Sequence, residues 1–563
     1  MISMGNLGTL RAAIQTVFIT AVLFAAPLAR ATGEGCTAGA HTFCVTNVSD
    51  TTGAGTLRTA INDSNTAGGT NTIGFNITGS GVHTITLASQ LPAIATNLTI
   101  DGFSQPGSVQ NTNAPDQGGL TTQLTIEIVG SGPAATAAGF YYMGTPLNLT
   151  FQGLALHGFS DAIVGQNGNT TPKAKFYVYG CFIGTKVDGT ALASAQNTGT
   201  AVRLGFDNGQ IGGTLPWQRN LLSGNAGAGV FVAPADATSS VVVEGNLIGT
   251  DAGATQPIPN GMATNWGGIY VVGAGRNVRI GCTATGGGCA STASRNIISG
   301  NNPSGIFIAP DLGGTHFGGL EIKGNYIGLA WNGAALPNQY FPDPNSIAFG
   351  AGIRLQGSDE LSPAVIGGFG PGEANTIAFN RGPGINGINF FTGLFSYFDS
   401  RANLVHDNVA PGQANIAIGA SSSEPLANDA GDADTGSNLQ QNWPEIYTAE
   451  PVRGPGPGQV SMRIKYRVNS VPPNAVYPIR VDFHHAVNGG TGLWFATDSY
   501  PDSAGQGYVT ATVPVTLPVV GPGPWYAFWG PIVAIATSAS GYSSEISPVT
   551  NDWIFGDGFE AAP

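Results

Sequence analysis

Short runs of apolar and β-branched residues, each closed by Gly, Asn or Asp, follow one another along most of the chain. Runs of this length and composition favour β-strands and are too short for helices. Four of the runs begin with Gly and are Gly229-Val-Phe-Val232, Gly268-Ile-Tyr-Val271, Gly305-Ile-Phe-Ile308 and Gly352-Ile-Arg-Leu355. The hydrophobic pattern therefore predicts an all-β protein.

Two phrases recur between these runs. Arg-Asn-x-x-Ser-Gly-Asn is found at 219–225 and 295–301 and, degraded, at 374–380, and Gly-x-x-Ile-Gly is found within 179–185, 244–250 and 323–329. Such self-similarity marks a solenoid, in which each repeat buries its apolar face by stacking on its neighbours. With about 20 to 25 residues per coil, we expect on the order of 14 to 18 rungs and a length of ~75 Å.

The Asn residues of the two phrases have a structural interpretation. Asn246 with Asn325, and Asn225 with Asn301, are predicted to recur at one corner of different coils. There their amides can bond backbone groups exposed at the bend. Cys181 occupies the position of Asn246 in an earlier copy of the second phrase, which favours a buried, inert thiol over a nucleophile.

The segment 32–75 is predicted to cap the solenoid. Residues 56–65 form the best helix candidate, with Leu57, Ala60 and Ile61 on one face and Gly55 or Thr56 as the cap. A short amphipathic helix at this place covers the open end of the core.

Several local motifs span residues 44 to 445. They include Gly55-Thr-Leu-Arg-Thr-Ala60, His83-Thr-Ile-Thr-Leu87, Leu98-Thr-Ile-Asp-Gly102, the repeated phrases and the Asp-rich segment 429–444. Together they resemble secreted bacterial right-handed parallel β-helix proteins, some of which are named for a Cys-Ser-Leu-Arg-Glu-Ala motif. The resemblance implies a right-handed parallel β-helix over 76–445. It implies no particular activity, because parallel β-helices include lyases, glycosidases, adhesins and spacers.

After residue 445 the pattern changes to alternating strands, such as 460–468 and 507–513, which predict a β-sandwich over 446–550. Its closing strand resembles that of immunoglobulin-like modules. The tail 551–563 resembles an Ile-Phe-x-Asp-Gly-Phe-Glu ending found on exported proteins of certain Gram-negative bacteria. The tail is interpreted either as an address recognised by a partner or as a hairpin packed on the sandwich.

Composition and the N-terminus indicate export. Residues 1–31 read as a signal peptide with an apolar stretch and an Ala29-Arg-Ala31 cleavage site, and no later segment has the length of a membrane span. In an oxidising compartment, Cys36 with Cys44 and Cys282 with Cys289 are expected to form two local disulfides.

The negative net charge narrows the classes of molecule that the protein is expected to bind. The net charge of −13, from 20 Lys+Arg against 33 Asp+Glu, disfavours nucleic acid, anionic lipid and polyuronate unless a local basic cleft exists. From the predicted signal peptide and the expected disulfides, we expect a protein that is secreted, extracellular or displayed on the cell surface.

No catalytic motif is complete. A galacturonan-hydrolase-like site needs Asp-Asp and Gly-His-Gly, which are absent, and the matching Arg463-Ile-Lys465 lies in the predicted sandwich, where we interpret it as coincidental. Asp188 and Asp251 follow equivalent Ile-Gly-Thr phrases and are the weak catalytic candidates for retaining or inverting glycoside chemistry. A solvated turn is the alternative for each of them. Bases such as His157 are scattered without a shared motif.

Asp429, Asp432, Asp434 and Asn438 surround Gly turns in the manner of a calcium loop, so two interpretations stand for this segment: a plain hydrogen-bonded turn that ends the solenoid, and a calcium site. Phe395, Tyr397, Trp525 and Trp529 are candidates for stacking on sugar rings, with core packing as the alternative for each.

These observations rank three functions. The first is a binding or scaffold module for glycans or a cell-surface polymer, and the second is a polysaccharide lyase or glycoside hydrolase on the β-helix face. The third is an inert stalk.

Overall fold

The structure is a computed structural model. It describes residues 36, 40–130, 137–142, 147–166, 173–192, 196–205, 207–233, 239–264, 266–272, 277–282, 289, 291–309, 319–338, 350–357, 362–387, 395–408, 414–419, 425–456, 459–502, 505–515 and 531–550. The predicted signal peptide, the tail 551–563, Trp525 and Trp529 lie outside the described residues. Within those ranges, no helix combines the length and the apolar character that a membrane crossing requires.

Three long sheets form the walls of a parallel β-helix, and the described residues place eleven strands in the first, sheet A. These strands are Phe43–Val45, Thr70–Phe75, Asn97–Asp101, Asn148–Gln152, Lys175–Tyr179, Asn208–Gly212, Val241–Glu244, Val278–Gly281, Glu321–Lys323, Ala364–Gly367 and Phe398–Arg401.

Sheet B begins with ten parallel strands in the described part of the chain. They are His83–Thr86, Ile126–Val129, Ala155–His157, Phe182–Ile183, Leu221–Leu222, Leu247–Ile248, Ile297–Ile298, Tyr326–Ile327, Thr376–Ala378 and Leu404–His406. Sheet C contributes nine described strands, which are Phe140–Tyr141, Ile163–Gln166, Val202–Gly205, Val230–Ala233, Ile269–Val272, Ile306–Ala309, Ile353–Leu355, Ile385–Asn386 and Ile416–Ala417.

The predicted N-terminal helix is confirmed as Leu57–Ala67, and the side chain of Thr56 caps it by accepting a hydrogen bond from the Thr59 amide. Its buried face carries Leu57, Ala60 and Ile61, as the sequence predicts. Four short 3-10 turns are also present in the described ranges, at Gly102–Ser104, Pro216–Gln218, Thr292–Ser294 and Ser437–Gln440.

Each coil passes from sheet A to sheet B to sheet C, and inward side chains of all three sheets fill one core. In one coil these are Val243, Ile248 and Val271, each with 0% exposure. Adjacent coils stack in register, so that Ile248 pairs with Ile298 of the next rung. The burial of such stacked aliphatic residues is the main force that holds the solenoid together.

The corner between sheets A and B contains a ladder of buried asparagines. Each donates its side-chain amide to the Oδ1 atom of the next, over 2.9 to 3.1 Å, and the members are Asn220, Asn246, Asn296, Asn325, Asn375 and Asn403. A second ladder, at the corner between sheets B and C, comprises Asn197, Asn225, Asn260, Asn301, Asn338, Asn380, Asn408 and Asn415. The predicted corner role of the repeated Asn residues is confirmed.

The first ladder also corrects the predicted coil length. Its successive members are 26, 50, 29, 50 and 28 residues apart, so the long sequence repeat contains two coils, one short and one with inserted loops. The expectation of 14 to 18 rungs was wrong, because the described part of sheet A has eleven strands. The insertions lengthen a coil without adding a rung.

The C-terminal segment adds antiparallel strands to the solenoid. In the described residues sheet B continues with Gly490–Tyr500, Ile479–Val487 and Ile532–Thr537, and a separate sheet D contains Glu445–Arg453, Val460–Arg467 and Val509–Pro514. The predicted fold class, all-β with a right-handed parallel β-helix solenoid followed by a β-sandwich, is confirmed, and the described C-terminal strands form antiparallel sheets around a second core. The sandwich predicted over 446–550 is joined directly to the solenoid, because Val405 of the last coil pairs with Thr491, so the two parts share one sheet.

Polar contacts fasten this C-terminal module to the last coils. Arg480 pairs with Asp399 of the last sheet A strand at 2.7 Å and with Asp482 at 2.8 Å. Glu545 accepts hydrogen bonds from the amides of Ile418 at 3.2 Å and Leu426 at 2.7 Å. The module therefore caps the C-terminal end of the solenoid, as an exposed stack of coils requires.

The two predicted disulfides are confirmed. Cys36 bonds to Cys44 and Cys282 to Cys289, with Cα atoms 5.8 and 5.2 Å apart. Cys181 is a free, fully buried thiol, and burial raises its pKa to about 12, as expected for an inert position.

Candidate functional site

The outer face of sheet D presents the most exposed aromatic pair in the described residues. Tyr447 is 58% exposed and Tyr508 is 44% exposed, and their ring centroids lie 5.5 Å apart. The ammonium of Lys465 lies 4.9 Å from the Tyr447 ring and 5.5 Å from the Tyr508 ring. We call these three residues the sheet D patch.

Strand alternation and a β-bulge create this patch. On the central strand, Met462, Ile464 and Tyr466 point into the core with 0% exposure, so Lys465 and its alternate neighbours point outward. Tyr447 is the unpaired residue where the register between Ile446 and Thr448 shifts. Because a bulge redirects the side chain at which it occurs, it brings Tyr447 over Lys465.

Acidic residues neutralise the arginines beside the patch. Arg463 pairs with Glu450 at 2.8 Å, and Arg467 pairs with Glu445 at 2.7 Å. Among the described residues, Lys465 has no carboxylate within ion-pair distance, and its contacts are with the two rings. The patch therefore has two flat apolar surfaces and one cation that lacks an acidic partner.

The outer faces of the solenoid are less accessible. On sheet C, outward side chains form a row in which Arg203 lies 4.4 Å over Phe231, Phe231 contacts Tyr270 at 5.5 Å, Tyr270 stacks on Phe307 at 5.0 Å, and Arg354 covers Phe307 at 4.4 Å. Phe231 and Phe307 are only 8% and 9% exposed. This row is therefore a packing feature of sheet C.

Loops cover the middle of sheet B. Leu120 donates its amide to the carbonyl of Ala252 across the sheet at 2.8 Å, and beneath this crossing the outward Phe182, Leu221 and Leu247 are buried. Sheet B thus offers no open surface over these rungs.

The sequence candidates Asp188 and Asp251 lie on stacked loops at one side of the solenoid, since the Ala252 amide donates to the Gly189 carbonyl at 3.4 Å. Each carboxylate accepts hydrogen bonds from its own turn. Asp188 accepts from the amide and hydroxyl of Thr190, and Asp251 accepts from two backbone amides. Both positions have the geometry of the turn alternative.

A carboxylate–histidine pair lies at the N-terminal end of sheet B. Glu127 contacts Nε2 of His157 at 3.1 Å and accepts a hydrogen bond from the Thr84 hydroxyl at 2.7 Å. The hydrogen bond from His157 is the main cause that lowers the pKa of Glu127, while burial of the carboxylate acts against it. Nδ1 of His157 is buried and has no hydrogen-bond partner in the described part of the structure.

The structure brings together three of the four predicted calcium ligands. Oxygen atoms of Asp429, Asp432 and Asp434 lie within 4.8 Å of one another. Burial raises the pKa of Asp432 to about 7, with a further contribution from the two neighbouring carboxylates, and burial also raises the pKa of Asp434. These shifts reflect close, poorly solvated negative charges.

Asn438 does not join this cluster. Its Oδ1 accepts the amide of Phe398 at 2.8 Å, and its Nδ2 donates to the carbonyls of Phe398 and Ser543. Asn438 is therefore a corner residue that links the last coil to the module, and the prediction that it binds calcium is corrected.

The predicted stacking residues are not an exposed platform in the described part of the chain. Tyr397 is 7% exposed and packs against Tyr542 at 5.0 Å, which agrees with the core alternative, and Phe395 is half-buried. Tyr447, Tyr508 and Lys465 were not among the candidate residues that the sequence indicated. The alternation of 460–467 was a signal for the outward Lys465, but the bulge that pairs the rings leaves no local pattern.

No family model matches the chain, and the search of curated proteins finds no relative.

Proposed function

We propose that this protein is an exported β-helix scaffold that binds glycans through the sheet D patch. The observation that carries the proposal is the pair of exposed tyrosines at 58% and 44% exposure on the outer face of a sheet. Sugar rings have apolar faces that stack on aromatic rings, and exposed aromatic pairs on a rigid sheet lose little side-chain entropy on binding. The two disulfides and the resemblance to secreted β-helix proteins support export.

The scaffold part of the proposal depends on rigidity. Lys465 and Arg463 are on the central strand of sheet D, whose inner side chains are fully buried in the second core. The same core includes Phe483 of the strand that extends sheet B, so the patch is mechanically continuous with the solenoid. A long β-helix would hold such a face at a fixed distance from whatever anchors the other end.

The test is a panel of soluble and insoluble glycans. We expect the purified full-length protein to be retained by at least one neutral or acidic glycan, and we expect Tyr447→Ala and Tyr508→Ala each to reduce retention severalfold. Leu493→Ala, at a 50% exposed position of the same module, is the matched control and leaves retention unchanged. The absence of retention on every glycan would contradict the proposal and favour an inert stalk.

We also propose that Asp429, Asp432 and Asp434 bind a calcium ion that stabilises the junction of solenoid and module. Carboxylate oxygens are the ligands that Ca²⁺ prefers, and an ion would relieve the mutual repulsion that contributes to the raised pKa of Asp432. Asp432 already accepts hydrogen bonds from Ser470, Gln441 and the Asn442 amide, which orient it.

Calcium at 100 times its Kd is expected to stabilise the fold by about 2.7 kcal/mol. A rise in Tm with calcium, reversed by a chelator and absent in Asp434→Asn, supports the site. An unchanged Tm over millimolar calcium would contradict it.

Polysaccharide cleavage is the second candidate, and the Glu127–His157 pair favours it. A carboxylate that accepts Nε2–H of a histidine leaves the lone pair on Nδ1, and this nitrogen, which is buried here, would act as the base only where a substrate reached it. The measurement is the release of reducing or unsaturated ends on the same glycan panel. Turnover lost in Glu127→Gln or His157→Ala would establish an enzyme, whereas binding without turnover leaves the scaffold function.

A further inference from the structure

We propose that the sheet D patch selects carboxylated sugars, and that the ammonium of Lys465 is the group that recognises the carboxylate. This inference rests on the proposed glycan-binding function and names the class of glycan at the same site.

Unlike its neighbours on the strand, Lys465 carries a positive charge that no carboxylate pairs with among the described residues. Its neighbours on the strand, Arg463 and Arg467, are each paired with a glutamate at 2.8 and 2.7 Å. Lys465 lies in register with Thr448 on one side and Thr510 on the other, so both cross-strand neighbours are hydroxyl residues. In a chain with a net charge of −13, this lysine forms no ion pair among the described residues.

The two tyrosine rings of the patch lie close to this ammonium. The Lys465 ammonium lies 4.9 and 5.5 Å from the ring centroids of Tyr447 and Tyr508, which hold it by cation–π attraction. Arg467 lies 5.2 Å from the Tyr508 ring, on the same side of the sheet. A ligand carboxylate that meets this ammonium therefore brings the attached ring against a tyrosine.

Simpler ligands would use only part of the patch. A neutral sugar would use the rings but would leave the ammonium without a partner. An inorganic anion or an acidic peptide would use the ammonium but not the flat apolar surfaces. A sugar acid satisfies both, and the hydroxyls of Thr448 and Thr510 can exchange hydrogen bonds with the sugar hydroxyls.

The protein's own charge sets the size of ligand that fits. The negative net charge repels a long polyanion, whereas the local pairing of the arginines makes the surroundings of Lys465 close to neutral. We therefore expect short acidic stretches or single acidic sugars within a neutral chain to bind better than a dense polyuronate.

The experiment compares a galacturonic acid trisaccharide with its neutral galactose counterpart, using calorimetry on the full-length protein. We expect the acidic probe to bind about tenfold tighter at low salt, because a hydrogen bond to a charged group replaces one to water. This preference should shrink as NaCl is added.

Three variants sharpen the result. Lys465→Gln is expected to remove the acid preference while neutral binding persists, and Lys465→Arg is expected to keep it. Tyr447→Ala should weaken both probes to a similar degree. Lys175→Gln, at an exposed lysine of sheet A, is the matched control and changes neither probe.

The outcomes separate this inference from the function on which it rests. If neither trisaccharide nor any panel glycan binds, both fail. If neutral glycans bind and Lys465→Gln leaves the acid preference intact, only the role of Lys465 is overturned. If oligoglutamate binds as tightly as the acidic trisaccharide and displaces it, the patch reads charge alone and the assignment to sugars is wrong.

Discussion

The corners of the solenoid and the outer face of sheet D use polar residues in opposite ways. In the corners, asparagines repeat from coil to coil, are fully buried and satisfy each other and the backbone. On sheet D, Tyr447 is exposed to solvent and Lys465 points outward, and neither residue belongs to the repeated phrases of the solenoid. Repetition in this chain therefore marks residues that the fold needs, and the exposed aromatic residues of the sheet D patch lie where the repetition ends.

The junction between these two regions is buried like the corners but does not repeat. Arg480 connects Asp399, 5% exposed at its side chain, with Asp482, 1% exposed. The loss of one partner from a buried ion pair leaves a charge without compensation, which costs far more than the loss of a surface pair.

The largest expected effect is at the junction. Arg480→Met should lower the free energy of unfolding by about 3 to 5 kcal/mol, because Asp482 stays buried without its cation. Arg463→Met, which breaks the surface pair with Glu450, should cost at most about 1 kcal/mol. Chemical denaturation of both variants measures the difference. Equal losses of unfolding free energy would mean that the buried ion pair at the junction stabilises the fold no more than the surface pair does.

A corner substitution comes next. Asn296→Ala removes the donor to Val243 and Asn325 and the acceptor for Asn246, and the buried partners that remain lose their bonds. We expect a loss of about 3 kcal/mol in the free energy of unfolding. Asn332→Ala, at an exposed loop position, is the control and should change it by less than about 0.5 kcal/mol. A loss at Asn296 as small as at Asn332 would show that the ladders are dispensable.

A buried acid at the solenoid end predicts a pH effect. Burial raises the pKa of Glu545 to about 7, while the unfolded carboxyl titrates near ~4.3. The folded state therefore binds the extra proton between these values, so the stability from protonation is fully present below about pH 4.3 and is lost as the pH rises through about 7. Burial raises the pKa of Glu244 and Asp432 to about 7 as well, with the same sign.

The measurement is the pH profile of unfolding free energy for the wild type and Glu545→Gln. Between pH 5 and pH 8 we expect the wild type to lose about 2 kcal/mol more than the variant does. The difference between the two profiles removes the contribution of His484, whose pKa burial lowers to about 4 and which acts with the opposite sign at low pH. Glu450→Gln is the surface control, and parallel profiles for the wild type and Glu545→Gln would refute the assignment.

The sequence was sufficient for the solenoid and insufficient for the site for the same physical reason. A coil can bury its apolar face only if the same inward and corner residues recur, and therefore Asn246 and Asn325 were recognisable before any coordinates. The alternation of long and short coils could not be predicted from the sequence, because the inserted loops have no repeating pattern of their own. The patch depends on a bulge at Tyr447 and on a contact between residues some sixty positions apart, and neither has a local signature.

The smallest effect on the free energy of unfolding is expected at Cys181. Substitutions there test whether a corner position accepts any small side chain or is specific for asparagine. Cys181 occupies the slot before Asn220, donates its amide to the Oδ1 atom of Asn220 at 2.9 Å, and points its thiol at the carbonyls of Tyr179 and Phe151. In the coil that contains Asn246, the side-chain Nδ2 of Asn246 donates to the equivalent carbonyls, those of Glu244 and Ile211.

Cys181→Asn therefore gains two hydrogen bonds of the kind that the next coils already make, and it extends the ladder by one rung. We expect its unfolding free energy to stay within about 1 kcal/mol of the wild type. Cys181→Leu adds an apolar side chain that has as many heavy atoms as Asn but a larger volume and no donor, and we expect it to lose about 2 kcal/mol through overpacking. Denaturation midpoints of the two variants decide the matter, because a loss for Asn as large as that for Leu would mean that the slot fits only a small side chain and that the ladder cannot be extended by substitution.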